Sequence, residues 1–233
     1  MQLKKGKLVV VISETNNLDP ALLQKINSKE RPLALYSNPK RLSKYLMGDT
    51  ILKEPDLHKQ MLFILEGDYG HSDDLDLMFN DKPLSESPYY AQNLLGLYAL
   101  IKLNKVGKDI LVLNQPECGL HPSKQLLLAR LIVALVNSGS KITLLTHSDI
   151  IIRELSLAIM FHECGDYGLN FDSKIVGLDS TQVQAFCVRD NHPEPIEIDL
   201  SGIYHETADI VASKQDEVLV KLYDKLQAAV DKE

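Results

Sequence analysis

Residues 110 to 148, ILVLNQPECGLHPSKQLLLARLIVALVNSGSKITLLTHS, constrain the fold more than any other stretch. Ile110 to Leu113 is a short apolar run ending at Asn114, and Lys141 to Thr146 is another ending at His147. Between them, Ser123 to Asn137 places leucines on every side of a helical period and stops near Gly139. The pattern suits a helix joining two parallel strands that are buried on both faces. In open sheets of this kind ligands sit beyond the carboxyl ends of the strands, so Asn114, Gln115 and His147 are expected to face one shared site.

These residues resemble a known family. An apolar strand running into NQPECGLHP, then a helix, then a strand ending in THS is similar to the Walker B and switch-histidine half of ABC-type ATPases. The closest likeness is to the branch holding OLD-family, RecF-like and SMC-like proteins. Pro116, Glu117, Gly119, Leu120, His121, Pro122, Thr146, His147 and Ser148 match that pattern, and two positions depart from it. Asn114 stands where the family has its magnesium-associated aspartate, and Gln115 where it has the carboxylate that polarises the attacking water. An amide keeps the shape of a carboxylate but brings no negative charge to a metal and accepts no proton from water.

The start of the chain carries the same substitution of chemistry within a kept frame. Leu8 to Ile12 reads as a strand, followed by Ser13-Glu14-Thr15-Asn16-Asn17-Leu18-Asp19-Pro20 and then the helical leucines Leu22 and Leu23. In the family's register for a phosphate-binding loop, GxxxxGK[ST], Ser13 stands at the first glycine, Leu18 at the second, Asp19 at the lysine and Pro20 at the Ser/Thr. Leu18 restricts φ where backbone N–H groups must turn inward, and Pro20 offers neither hydroxyl nor backbone donor. Asp19 reverses a charge. Unit charges about 4 Å apart at an effective dielectric near 20 interact by about 4 kcal/mol, so the reversal swings roughly 8 kcal/mol. That is about the whole free energy of micromolar binding. Ordinary ATP binding is therefore not expected. The same residues also read locally as an N-capped turn into a helix, with Asp19 as cap and Pro20 first in the helix.

Composition bounds the rest. A chain of 233 residues with 45% hydrophobic side chains can bury a substantial core, and no Pro/Gly/Ser-rich linker divides it, so one domain over residues 1–233 is expected. Met1 to Lys7 is polar and basic and does not read as a leader, and no apolar run reaches spanning length, which points to the cytoplasm and away from a membrane. A net charge of −7 argues against a general nucleic-acid binder. The basic patch Lys40-Arg41-Leu42-Ser43-Lys44 keeps a DNA-binding module open as an alternative. Three cysteines without CxxC spacing, Cys118, Cys164 and Cys187, suit a reducing compartment, and Cys118 is read as a packing residue. The histidines show no HxxxH or HExxH pairing, so no metal site is expected even though Glu117, His121 and His147 share the motif region.

Elsewhere, Arg31 to Tyr36 reads as a short strand, Asn38 and Pro39 as the start of a helix, and Met61 to Leu65 as a strand. His71 to Asp76 reads as a solvated acidic turn. Leu84-Ser85-Glu86-Ser87, just before a helix over 88–103, resembles the ABC signature segment, with Ser85 at the serine and Glu86 and Ser87 where glycines belong; alternatively, Ser85 or Ser87 caps the helix. Ser148 is expected to cap a helix from Asp149 to about Met160. Val183 to Val188 and Ile196 to Leu200 read as paired strands joined by a turn over Arg189 to Pro195, with a last helix from about Lys214 to Asp231.

The resemblance spans about residues 84 to 205, and residues 8 to 26 by register. It implies an α/β fold with a mostly parallel sheet flanked by helices, an ABC-ATPase-like P-loop fold ending in a hairpin and helix. It further implies a catalytically silent protein without catalytic residues or cofactor, bound to another protein such as an active ATPase of the same fold. A homodimer, or an ATP-binding or ATP-hydrolysing protein with an atypical site, are the other arrangements it allows. The degenerate nucleotide-site positions are Ser13, Leu18, Asp19, Pro20, Ser85, Asn114, Gln115, Glu117 and His147. DNA repair and phage defence or counter-defence are the settings the family suggests.

Overall fold

The apolar runs pair side by side as one sheet. A computed structural model of the chain describes residues 7–13, 32–33, 55–72, 77–102, 110–164, 176–189, 192–199 and 202–203. Strand β1 (Lys7–Ser13) is flanked on both sides by parallel neighbours, β7 (Lys141–Thr146) and β8 (Val183–Arg189). Beyond β7 lie β6 (Ile110–Asn114) and β2 (Pro32–Leu33), again parallel, and beyond β8 lies the antiparallel β9 (His192–Ile196). The order is thus β2-β6-β7-β1-β8-β9. The architecture is α/β, a mostly parallel sheet flanked by helices.

Alternation along the strands sorts the core into two faces. Leu8, Val10 and Ile12 of β1, with Leu111, Leu113, Ile142 and Leu144, join the buried side chains of four helices: α1 (Pro55–Leu65), α2 (Tyr89–Lys102), α3 (Pro122–Asn137) and α4 (Asp149–Cys164). Val9 and Val11 point the other way and cluster with Leu145 and Val188. Both sets are buried, which is why Leu8 to Ile12 are apolar without interruption. Helix α3 stops as its residues require. Gly139, at a φ of 100°, donates to the Val136 carbonyl while the Ser140 N–H reaches the Leu135 carbonyl, so the last carbonyls are satisfied by a left-handed glycine cap.

Four readings of the sequence are corrected. Met61 to Leu65 is the end of helix α1, not a strand: Leu57, Met61, Ile64 and Leu65 are buried at helical spacing, and a run of five apolar residues does not by itself separate the two periods. The chain then forms a small antiparallel sheet of β3 (Tyr69–His71), β4 (Leu77–Phe79) and β5 (Lys82–Pro83). His71 therefore ends a strand and does not open a turn. Asp68 Oδ1 ties this sheet to α2 by accepting from the Tyr98 hydroxyl (2.6 Å) and the Tyr69 N–H (2.7 Å).

The other two corrections concern prolines and serines. His192 to Pro195 lie within β9, in register with Arg189 to Phe186, and not in a connecting turn. Since proline donates no hydrogen bond, the ladder to β8 must run through His192, Glu194 and Ile196, which leaves the ring nitrogens of Pro193 and Pro195 on the outer side. Before α2, Leu84–Glu86 form a single 3-10 turn, and the Ser87 hydroxyl donates back to the Pro83 carbonyl (3.0 Å) in place of capping the helix. Asn38-Pro39, Lys40 to Lys44, Asp73 to Asp76 and the expected last helix lie outside the described residues.

A short pair, β10 (Ile198–Asp199) with β11 (Gly202–Ile203), ends the described chain. Gly202 sits at a φ of 104°, and a Cβ there would fall 2.6 Å from Ser156 Cα on α4, whose hydroxyl also accepts the Ile203 N–H at 3.0 Å. Gly202→Ala is therefore expected to cost about 2–4 kcal/mol, from the left-handed backbone and the forced overlap together. Urea unfolding followed by circular dichroism measures it.

Candidate functional site at the strand ends

Parallel pairing brings the carboxyl ends of β1, β6 and β7 to one edge of the sheet, where Ile12 is level with Thr146 and Asn114 with Leu145. Asn114 is exposed at the end of β6. Gln115 follows at a φ of 45°, a left-handed conformation that non-glycine residues adopt at a cost. Its backbone is held from three sides. The N–H donates to the Leu145 carbonyl (2.8 Å), and the carbonyl accepts from the Cys118 N–H (3.1 Å) and from Asn93 Nδ2 of α2 (3.5 Å).

Glu117 is the centre of the polar network. Only 7% exposed, it accepts through Oε1 from the Thr146 hydroxyl (2.7 Å) and from the His147 N–H (3.0 Å). Its other oxygen, Oε2, is buried without a hydrogen-bond partner among the described residues. Thr146 Oγ1 in turn accepts from the Ser148 N–H at 3.1 Å. Ser148 caps α4, accepting from the Ile151 N–H (3.3 Å) and donating to Gln125 Oε1 (2.6 Å) of α3. One carboxylate thereby fixes the loop after β6 to the corner between β7 and α4.

The sequence-predicted residues divide accordingly. Gln115, Glu117 and His147 are brought together, His147 through its backbone, while its side chain is exposed. Ser13 closes β1 beside them, and Ser85 lies exposed in the 3-10 turn that leads into α2, the helix that supplies Asn93. Leu18, Asp19 and Pro20 lie outside the described residues. His121 does not converge with Glu117: its Nδ1 accepts the Ser123 N–H at 3.3 Å as the cap of α3. Cys118 places Sγ 3.5 Å from Gln115 Oε1, and burial, with Glu117 nearby, pushes its thiol pKa up, away from thiolate nucleophile character.

Asn93, Gln125 and Thr146 complete the network. Of these, Thr146 alone belongs to a motif legible in the sequence. A separate trio, His162, Glu163 and Asp179, has its ligating atoms within 4.8 Å of one another. Both carboxylates, however, already serve the local turn, Glu163 accepting from Ser180 and Asp179 from Thr181. None of the described helices is long and apolar enough to cross a membrane.

No family model matches the chain, and no curated protein matches it. Among solved structures it is similar to a nucleotide-free ATP-binding cassette from an ABC transporter, at 14% identity over 91% of this chain and 87% of that one, with a TM-score of 0.38. It is also similar to cbiO1 of Clostridium perfringens, part of the ABC transporter complex cbiONQ, at 11% identity over 83% and 78%, with a TM-score of 0.40. The SMC head domain of Thermotoga maritima is a third, at 8% identity over 83% and 90%, with a TM-score of 0.38.

Proposed function

We propose that the chain is a catalytically silent relative of ABC-type ATPases that serves as a protein-binding or regulatory subunit, with an active ATPase of similar fold as its partner and DNA repair or phage defence as the setting. The observation that carries this reading is the use of charge at the strand ends. Asn114 and Gln115 are amides where a magnesium ion and an attacking water would need carboxylates. The nearby carboxylate, Glu117, spends one oxygen on holding Thr146 and His147 and keeps the other buried, so it is a structural tie and not a base open to substrate. With Asp19 in place of a phosphate-binding lysine in the register of the N-terminal loop, the chain keeps the frame of a nucleotide site without its counter-charges.

Isothermal titration calorimetry with ATP and magnesium tests this directly. No saturable heat is expected at nucleotide concentrations up to about 1 mM, where an intact phosphate loop would register a micromolar Kd. A saturable micromolar isotherm, or steady release of phosphate by the purified chain, would overturn the reading.

A further inference from the structure

Helix α1 packs on α3, and their outer faces leave a groove of about 500 Å³. Lys59 and Phe63 of α1, Leu127, Arg130 and Ala134 of α3, and Val176 line it. The groove does not belong to the packing of α1 itself, because Leu57, Met61, Ile64 and Leu65 already bury its inner side. Phe63 is 63% exposed and Val176 44% exposed. Lys124 steadies the phenyl ring, with Nζ 3.9 Å from its centroid while donating to the Phe63 carbonyl (2.6 Å) and pairing with Glu66 (2.9 Å).

We propose that this groove receives an amphipathic helix of a partner protein, which seats a large apolar side chain between Phe63 and Val176 and sets a carboxylate against Lys59. A trough between two helices, apolar in its floor and with room for more than one large side chain, is a form that binds helices through residues at i, i+3, i+4 and i+7. The sign of the partner follows from the lining. Among the described residues it holds two cations and no carboxylate, in a chain whose net charge is −7. Arg130 is neutralised from within by Glu154 at 2.6 Å, which leaves exposed Lys59 as the charge for a partner to answer. A concave trough is also a poor seat for a lipid surface, which needs a broad face. The proposal does not depend on the strand-end site being silent.

The probe is a fluorescein-labelled helical peptide of about 18 residues, with leucines at i, i+4 and i+7 and glutamates flanking them, beside a twin carrying lysine for every glutamate. Fluorescence anisotropy with the full chain is expected to show saturable binding of the glutamate peptide only. Phe63→Ala should weaken it at least about tenfold, and Lys59→Glu should weaken it and favour the lysine twin. Both side chains are exposed, so unchanged thermal melts of the variants keep the comparison sound. Equal binding of the two peptides, indifference to both substitutions, or no binding up to about 1 mM would overturn the proposal. So would sedimentation equilibrium showing a dimer of the chain alone that Phe63→Ala abolishes, since a second copy would then occupy the groove.

Discussion

Glu117→Ala should lower the stability of the chain by about 3–5 kcal/mol, because it removes two hydrogen bonds to a charged acceptor and leaves the Thr146 hydroxyl and the His147 N–H without their partner. Thr146 is buried, so its hydroxyl has little water to turn to. Glu117→Gln is expected to fall between parent and alanine. Its amide oxygen can still accept both bonds, but its –NH₂ then takes the place of the buried Oε2 and brings donors that no described group accepts. Urea unfolding gives the ranking, and amide hydrogen exchange at His147 locates the loss at the corner between β7 and α4. An alanine variant within about 1 kcal/mol of the parent would mean that Glu117 is not the tie described here.

The second large effect concerns the ion pair that joins α3 to α4. Arg130 Nε meets Glu154 Oε1 at 2.6 Å, with side chains only 14% and 7% exposed. Removing one partner strands a buried charge, which costs about 3–5 kcal/mol in comparable sites, while replacing both with apolar groups of similar volume is often close to neutral. Arg130→Met should be the worse single change, because it strands the deeper Glu154, whereas Arg130 borders the groove and can reach water. The double variant Arg130→Met with Glu154→Leu is expected to recover most of the loss. A double-mutant cycle measured by chemical denaturation tests this, and simple additivity of the two single costs would refute it.

The readings that held were those with a long or doubly buried pattern. Ile110 to Leu113 and the run from Lys141 to Thr146 showed as strands because apolar side chains are buried on both faces of the sheet, and α3 showed through its leucines and through Gly139 at its stop. Met61 to Leu65 misled because five apolar residues suit either period, and the two- and three-residue strands β3 to β5 are too short for any period to appear. At the site, the motif marked the loop but not the role of its carboxylate. The bond from Thr146 to Glu117 spans 29 residues and exists only because β6 and β7 pair in one register. Arg130 and Glu154, 24 residues apart on different helices, leave no spacing signal at all.

The prolines of β9 bear on how copies of this chain can meet. Pro193 and Pro195 remove the outward donors from a five-residue border strand, so another chain laid alongside would find acceptors only and lose half of each hydrogen-bonded rung. Among the described residues β9 is the outer strand on that side, so edge-to-edge growth through it is discouraged, and the two prolines leave that margin a poor template for a further strand.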